Sequence, residues 1–297
     1  MSVTANVVIR DHRLSSGGHT LLYRAVKPAG DAWARLVLVH GYGEHLGRHV
    51  HFLRWLAERG VACYALDLRG HGLSQGVRGY VGRWEEYLDD FQAFLDQCGF
   101  SGAQEGALPT FVLGHSHGAL VVAAAAIERS LTADGVILTA PYFRSRMYVP
   151  RWKRLLAHTL SGVLPRLAIP SGLQGEWMTS DAEMIRDSLE DPLTLHTATV
   201  RWYTTTLRKQ SEVLERASEF RLPLLVLMGD ADPVADPVGA HDFYERAGSA
   251  DKQFHLFPQF LHELLRETER EQLFRQILAW MQERGHPEAE SEHPPSG

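Results

Sequence analysis

The stretch TFVLGHSHGALVVAAAAI, residues 110–127, decides the fold. Its first four residues predict a buried strand, and its alanine-rich second half predicts a buried helix. Between them lies the pentapeptide Gly-His-Ser-His-Gly, residues 114–118. A Gly-x-Ser-x-Gly pattern is short enough to arise by chance, and a serine in an ordinary turn would also fit it. The strand–turn–helix setting instead favours a sharp turn that presents Ser116 as a nucleophile.

A serine nucleophile requires a base and an acid to orient that base. Where this turn is used, the chain order is serine, acid, histidine, and the groups follow the carboxyl ends of strands. The predicted base is His262, in the loop after the last strand, because His255 lies within that strand. The acid is predicted among Asp230, Asp232 and Asp236. Spacing alone favours Asp232 over Asp230 only slightly.

Short apolar runs alternate with helical patterns along the chain. From residue 36 onward the runs are continuously apolar, which is typical of parallel strands covered on both faces. This succession predicts a mostly parallel, doubly wound α/β sheet of eight strands. The candidate strands are 7–10, 20–25, 36–40, 61–66, 110–113, 135–139, 222–228 and 253–257, and the candidate helices are 51–59, 84–98, 118–130, 239–247 and 263–284.

One interval interrupts this alternation. Residues 143–216 contain no convincing buried strand, and the pattern resumes at residue 222. A segment of this length is expected to have a structure of its own, mainly helical. We therefore predict one α/β domain, residues 1–142 and 217–284, that is interrupted by a helical cap at 143–216.

Within the predicted cap, apolar residues recur at helical spacing and basic residues occupy the other faces. Two interpretations remain open. The apolar face packs on the main domain, or it meets a lipid interface or lines an acyl tunnel. The apolar residues are Trp152, Leu155, Leu156, Leu160, Val163, Leu164 and Leu167, and the basic residues are Arg151, Lys153, Arg154 and Arg166.

The segment His40-Gly41-Tyr42-Gly43 supplies candidates for stabilising an oxyanion. It follows a predicted strand, and its glycines allow the main chain to approach a substrate closely. The predicted oxyanion hole consists of the main-chain N–H groups of Tyr42 and of His117, the residue after the nucleophile. His40 is expected to hold the loop by hydrogen bonds rather than to transfer protons.

The composition excludes several classes of partner. With 30 basic and 36 acidic residues, the formal charge is −6, the wrong sign for a nucleic-acid-binding protein. The two cysteines, Cys63 and Cys98, are too few for a disulfide framework and fit a reducing cytoplasm. No secretory signal is visible, and no apolar run approaches the ~20 residues that span a bilayer. The polar residues 285–297 are expected to form a disordered tail.

Seven stretches, spread over most of the chain, carry a family resemblance. They are HGYGEHLGRH (40–49), DLRGHGLSQG (67–76), RGYV (78–81), GHSHG (114–118), DPL followed by RW (191–193 and 201–202), GDADPVAD (229–236) and FLHELL (260–265). In this order they resemble the serine-hydrolase branch of the α/β-hydrolase superfamily, specifically the monoacylglycerol lipases and lysophospholipases.

This resemblance implies an α/β-hydrolase fold with a cap over an acyl pocket. It assigns Ser116 as nucleophile, Asp232 as acid and His262 as base, with the amides of Tyr42 and His117 forming the oxyanion hole. It implies hydrolysis of carboxylic esters of lipids, monoacylglycerol or lysophospholipid, through an acyl-enzyme and without a cofactor. The chain departs from the family at His117, where methionine is usual.

Several alternatives accompany this hypothesis. The same triad would serve a peptidase or a polar-ester hydrolase, and a hydrolase fold also occurs in non-catalytic ligand-binding proteins. A metal site is disfavoured because the histidines lack carboxylates or cysteines at zinc-like spacing. The expected partner is a small lipid ester, with no nucleic acid and with transient contact between the cap and a membrane surface. The expected location is cytoplasmic and peripheral at membranes; the oligomeric state is not determined by the sequence.

Overall fold

One sheet of eight strands runs through the computed structural model, which describes residues 7–100 and 107–285. All the strands below except β7 and β8 belong to it. The strands are β1 (Val7–Ser16), β2 (His19–Pro28), β3 (Ala34–Val39), β4 (Val61–Leu66), β5 (Thr110–His115), β6 (Gly135–Thr139), β7 (Ala168–Pro170), β8 (Thr197–Thr199), β9 (Leu224–Gly229) and β10 (Lys252–Phe257). The predicted eight-stranded α/β sheet is confirmed.

The strand order is β1-β2-β4-β3-β5-β6-β9-β10. The β1–β2 and β2–β4 pairs are antiparallel, and every other pair of neighbours is parallel. β1 extends beyond the predicted end at residue 10 because it pairs with β2 along its whole length. The added residues, 11–16, are mostly polar and exposed, so the sequence shows no apolar run there. The direction of chain progression reverses between β3 and β5. The loops after these two strands therefore diverge, which creates a crevice at the carboxyl edge.

Eight α-helices are present in the described part of the chain. They are α1 (Val50–Ala57), α2 (Glu85–Gln97), α3 (His117–Glu128), α4 (Arg151–Val163), α5 (Ala182–Glu190), α6 (Val200–Glu215), α7 (Pro237–Arg246) and α8 (Arg270–Gly285). Helix α3 packs against β5, α2 and α6, and its first nine residues are buried. A helix enclosed on all sides explains the lack of a polar face in its sequence.

The predicted helix 263–284 is wrong at its start. Helix α8 begins at Arg270, and residues 264–266 form a single 3-10 turn. Glu263 has a ψ of 69°, outside the helical range. Its N–H donates to the carbonyl oxygen of Met178 at 2.6 Å, and its carboxylate binds Arg48. These contacts with distant segments override the local helical pattern.

The segment between β6 and β9 contains α4, α5 and α6, so it is largely helical as expected. The segment also contains two strands that the sequence did not predict, β7 and β8, which form a short antiparallel ladder. Their β-branched residues, Ile169, Thr197 and Thr199, favour such pairing. Helix α6 lies between α3 and α4, because it contacts both. The cap boundaries 143 and 216 stay a prediction.

Two expectations concern the ends of the chain and the membrane. The predicted tail at 285–297 lies outside the described residues except for Gly285, which ends α8. Across the described ranges, every helix is too short or too polar to cross a bilayer. Both cysteines are free thiols, and Cys63 is buried.

Candidate active site

Ser116 lies at a sharp turn between β5 and α3. Its φ of 52° and ψ of −114° form a conformation that L-residues rarely adopt. A Cβ on Gly118 would lie 2.1 Å from the carbonyl oxygen of Val39, and one on Gly114 would lie 2.6 Å from the Cα of Ala119. Glycine is therefore required on both sides of the serine, because neighbouring main chain occupies the space that a side chain would need.

The structure brings Ser116, His262 and Asp232 into one hydrogen-bonded chain. His262 Nε2 lies 2.8 Å from Ser116 Oγ, and His262 Nδ1 lies 2.8 Å from Asp232 Oδ2. All three side chains are buried. Burial by itself lowers the pKa of His262, but the charge and the hydrogen bond of Asp232 outweigh it, so this pKa is raised above its ordinary value. This arrangement suits a base that removes the serine proton.

The other acidic candidates lie elsewhere. Asp230 is exposed and accepts a hydrogen bond from the N–H of Gln259 at 2.7 Å. Asp236 caps the first turn of α7. Asp232 alone among the three reaches His262, and its second oxygen, Oδ1, accepts N–H bonds from the residues two and three positions later, at 2.7 and 3.0 Å. The geometry therefore separates Asp232 from Asp230, which their spacing in the sequence hardly distinguished.

The loop after β3 lies against Ser116. A Cβ on Gly41 would lie 3.1 Å from Ser116 Cβ. The N–H of Gly41 donates to Glu44 Oε1, whereas the N–H groups of Tyr42 and His117 have no partner among the described residues. Two free donors on either side of the serine match the requirements of an oxyanion hole.

Comparison with known proteins decides the family. The family described as serine aminopeptidase, S33, matches residues 30–269. This chain belongs to that family. The resemblance to α/β-hydrolases of the monoacylglycerol lipase group is likewise confirmed.

Individual relatives of this serine hydrolase carry lipase names. It is 27% identical to the monoacylglycerol lipase of Mycolicibacterium smegmatis over 89% of this chain and 94% of the relative. It is 28% identical to the phospholipase YtpA of Bacillus subtilis, with coverage of 83% and 94%. It also matches 28% of the length of a longer, uncharacterised abhydrolase domain-containing protein of Dictyostelium discoideum, at 28% identity over 91% of this chain.

A solved structure extends the comparison. The monoacylglycerol lipase of Paleococcus ferrophilus superposes with a TM-score of 0.78 at 25% identity, covering 93% of this chain and 98% of that protein. The predicted class, a serine-type carboxylic ester hydrolase, is confirmed by these comparisons.

A cavity of about 710 Å³ opens at the serine of this hydrolase. Its walls come from the loops after β3 and β5, from the histidine loop and from the inserted segment. The volume falls within the usual range for small-molecule sites. The wall contributed by the inserted segment is mainly apolar and includes Ala157, Ile169, Leu173, Leu189, Leu195, Ala198, Trp202, Leu207 and Leu214.

Sequence reasoning missed a buried ionic cluster beside the site. The Glu44 carboxylate lies 3.1 Å from His49 Nε2, and Arg48 donates to both carboxylate oxygens of Glu263 at 2.7 Å. Burial raises the pKa of Glu44, but the nearby imidazoles of His49 and His115 outweigh it and hold this pKa well below its usual range. Arg48 and Glu263 are separated by 215 positions, so no local pattern in the sequence pairs them.

The side chain of His117 occupies an aromatic enclosure. Its ring centre lies 4.9 Å from that of Trp84, 5.1 Å from that of Tyr87 and 5.5 Å from that of Trp202. Neither ring nitrogen has a hydrogen-bond partner within the described residues. Burial, with smaller contributions from His71 and His40, holds the pKa of His117 well below its usual value. The imidazole is therefore neutral.

The sequence expectation for His40 agrees with its contacts. Its Nε2 accepts the N–H of Leu68 at 3.0 Å, and its Nδ1 lies 2.6 Å from the carbonyl oxygen of Gly41. Burial lowers the pKa of His40 to about 4. The ring is therefore a neutral link between two loops and does not contact Ser116.

Proposed function

We propose that this serine hydrolase cleaves monoacylglycerols, with lysophospholipids as the second substrate class, through an acyl-enzyme on Ser116. The observation that carries the proposal is the hydrogen-bonded chain from Asp232 through His262 to Ser116, which opens into an apolar cavity. Catalytic roles for these three residues follow from chemistry: a serine hydroxyl becomes nucleophilic when a neighbouring base accepts its proton.

The proposed reaction has two halves. Ser116 Oγ attacks the ester carbonyl while His262 Nε2 takes its proton, and the amides of Tyr42 and His117 bind the resulting oxyanion. The imidazolium then protonates the leaving alcohol, which yields the acyl-enzyme. In the second half, His262 removes a proton from water, the hydroxide attacks the acyl carbon, and the proton returns to Ser116 as the acid departs. Asp232 holds the imidazole in its useful tautomer and stabilises the imidazolium.

The cavity favours an acyl chain over a peptide amine. An aminopeptidase must bind a positive N-terminus, for which free carboxylates are suited. The carboxylates that line the cavity within the described residues are those of Glu44 and Glu263. Both are engaged, Glu44 with His49 and Glu263 with Arg48. The long apolar wall instead offers a favourable environment for methylene groups, at about 0.8 kcal/mol for each one buried.

Helix α4 supports a transient contact with a membrane surface. Several of its apolar side chains are exposed, with Trp152 at 64%, Leu155 at 71% and Val163 at 72%. They do not pack on the main domain, which was one of the two interpretations of this face. Arg151 and Lys153 on the same helix add positive charge, as is common in helices that lie at an anionic lipid interface. A cytoplasmic location remains the prediction of the sequence.

A substrate panel tests the proposal. The kcat/KM values are compared for 1-monoacylglycerols of several chain lengths, lysophosphatidylcholine, p-nitrophenyl butyrate and an aminoacyl amide. We expect the monoacylglycerols to rank first, and Ser116→Ala to lose at least about 10⁴-fold in kcat. The unmodified protein should react with a fluorophosphonate probe, and Ser116→Ala should not.

Two outcomes contradict the proposal. An aminoacyl amide that exceeds every ester in kcat/KM would make the protein a peptidase. A folded protein that neither hydrolyses any ester nor reacts with the probe would be a ligand-binding protein.

A further inference from the structure

The motif DPL, residues 191–193, lies in the inserted segment, and the proposed reaction gives it no role. Asp191 Oδ1 accepts the N–H of Leu193 at 2.9 Å, which fixes a turn after α5. Asp191 Oδ2 lies 2.6 Å from Nε2 of His45, a residue 146 positions earlier in the loop after β3. The pair joins the cap to the loop that supplies the amide of Tyr42.

The proton on His45 is placed by a second contact. Its Nδ1 accepts the N–H of Gly47 at 3.2 Å, so Nε2 carries the hydrogen that is donated to Asp191. Burial alone raises the pKa of Asp191, but the hydrogen bonds from His45 and from the N–H of Leu193 outweigh it, so this pKa lies below its ordinary value. The carboxylate is therefore charged, and the bond to His45 is charge-assisted.

Further contacts join the same two segments on both sides of this pair. The N–H of Leu195 donates to the carbonyl oxygen of Gly43 at 2.7 Å. The hydroxyl of Tyr42 lies 3.1 Å from the carbonyl oxygen of Thr197, and the ring of Tyr42 stacks on that of Trp202 with centres 3.6 Å apart. Residues 42–45 are thus held along their whole length by residues 191–202 of the cap.

The two segments pack so closely that their relative position can vary little. Gly43 has a φ of 83°, and a Cβ at this position would lie 3.0 Å from the carbonyl oxygen of Leu195. Arg78 ties the turn down from another direction, because it donates to the carbonyl oxygens of both Leu193 and Gly72 at 2.9 Å. The position of the Tyr42 amide is therefore determined jointly by the core and by the cap.

We propose that Asp191 is a positioning residue for the oxyanion hole: through its pair with His45, the cap fixes the loop whose Tyr42 amide binds the developing negative charge. This inference rests on the proposed function, since it assigns a part in the same reaction. Displacing a catalytic donor by about 1 Å costs on the order of 100-fold in rate. Loss of the Asp191–His45 pair should therefore impair the chemical step more than substrate binding.

The test compares Asp191→Ala, His45→Ala and the double variant with Glu190→Ala. Glu190 is the exposed residue next to Asp191, so this control removes a carboxylate without touching the loop. The substrate is p-nitrophenyl butyrate, which is short and soluble and makes little use of the acyl cavity. A trifluoromethyl ketone of the same chain length measures the oxyanion hole separately, because it forms a tetrahedral adduct on serine.

We expect kcat to fall about 10- to 100-fold in both single variants, with KM and the control nearly unchanged. The inhibition constant of the ketone should rise by the same factor as kcat/KM falls. The double variant should be no worse than either single one, because both remove the same interaction. His45→Gln, whose amide can donate to Asp191, should recover most of the activity. Circular dichroism and thermal unfolding verify that each variant is folded.

Three results would overturn the inference: variants as active as Glu190→Ala, losses confined to KM, or losses that multiply in the double variant. If Asp191→Ala does not fold, the comparison of His45→Ala with His45→Gln decides, because equal activities of these two contradict the inference. The unmodified protein separates this inference from the proposed function. If it is inactive and unlabelled, both fail; if it is active and the variants match it, only the role of Asp191 fails.

Discussion

Asp230 and Asp232 differ by two positions and have very different surroundings. Asp232 is fully buried against His262, whereas Asp230 faces solvent and holds the main chain at Gln259. The carboxylate of Asp232 is hydrogen-bonded to the imidazole and to two N–H groups of the turn that follows it. The turn after β9 therefore directs one carboxylate toward His262 and the other toward solvent. Replacing each carboxylate separately tests which of the two acts with His262.

Asp232→Asn should lower kcat by about 10⁴-fold, because the amide would stabilise the wrong tautomer of His262. Its effect on pH dependence follows from the raised pKa of His262. Since the base acts unprotonated, kcat/KM falls as the pH drops through this pKa, which lies above the ordinary value of about 6.5. In Asp232→Asn the charge that raises the pKa is gone and burial remains, so the acid limb should move to lower pH.

The measurement is the pH profile of kcat/KM for p-nitrophenyl butyrate. Asp230→Asn serves as the matched control and should keep both the rate and the limb of the unmodified protein. A normal rate in Asp232→Asn together with an inactive Asp230→Asn would assign the acid to Asp230 instead.

At the scale of elements, the turn from β5 to α3 depends on contact between main-chain segments. The space where a Cβ of Gly118 would lie is occupied by the carbonyl oxygens of Val39 and His40 at the end of β3. These two strand ends carry the proposed nucleophile and the proposed oxyanion loop. Their close approach is therefore a condition both for folding and for the geometry of the site.

Gly118→Ala should destabilise the protein by about 3 kcal/mol, because the added methyl group must displace main chain. Urea unfolding followed by circular dichroism gives the value. Gly162→Ala is the matched control: Gly162 lies in α4, where an added Cβ meets nothing within 4 Å. There the change should stabilise the protein by roughly 0.5–1 kcal/mol, as alanine favours a helix more than glycine does. Similar values for the two variants would contradict the close contact at Gly118.

The exposed apolar face of α4 provides a second prediction at this scale. Val163→Asp should weaken binding to vesicles that contain phosphatidylglycerol, because a charge would replace apolar surface at the interface. Hydrolysis of dispersed monoacylglycerol should fall with binding, while hydrolysis of p-nitrophenyl butyrate should be retained. Val238→Asp, at a valine that is 58% exposed on α7, is the control. If the two variants sediment equally with vesicles, the prediction that α4 contacts the membrane surface is wrong.

The sheet and much of the proposed site could be predicted from the sequence because parallel strands and their following loops leave local patterns. The buried pattern of β4 and the glycines around Ser116 are examples. The start of α8 could not be predicted, because Glu263 is held by Met178 and Arg48. The β7–β8 ladder was missed because two three-residue strands show no apolar run. Features that depend on contacts between residues far apart in the sequence leave no pattern in any short stretch of it.

At the scale of the whole molecule, Arg48 and Glu263 join the two parts of the chain on either side of the inserted segment. The pair is buried, and each carboxylate oxygen lies 2.7 Å from the guanidinium. Burial raises the pKa of Glu263, but Arg48 outweighs it and lowers this pKa. A carboxyl group with a lowered pKa contributes stability above its ordinary pKa, and this contribution is lost as the pH falls through the lowered value.

Glu263→Gln should destabilise the protein by about 3 kcal/mol, because it removes the hydrogen-bonded counterion of buried Arg48 and leaves, among the described residues, only Glu44, at 3.6 Å from its guanidinium. Urea unfolding at neutral pH measures this loss. The difference from the unmodified protein should shrink as the pH falls through the lowered pKa of Glu263, because the native carboxyl group also becomes neutral there. Asp89→Asn, which breaks an exposed pair with Arg129, should change the stability by less than about 1 kcal/mol. An equal cost for both variants would contradict the importance of the buried pair.

The position of the inserted segment has a consequence for how the protein is made. Ser116 precedes the insertion, whereas Asp232 and His262 follow it, and His262 is 146 positions after the serine. Since domains fold as the chain leaves the ribosome from its N-terminus, the serine emerges long before its proposed base. In the proposed mechanism, a growing polypeptide therefore carries an inert hydroxyl until residue 262 has left the ribosome, and hydrolysis cannot begin before that point.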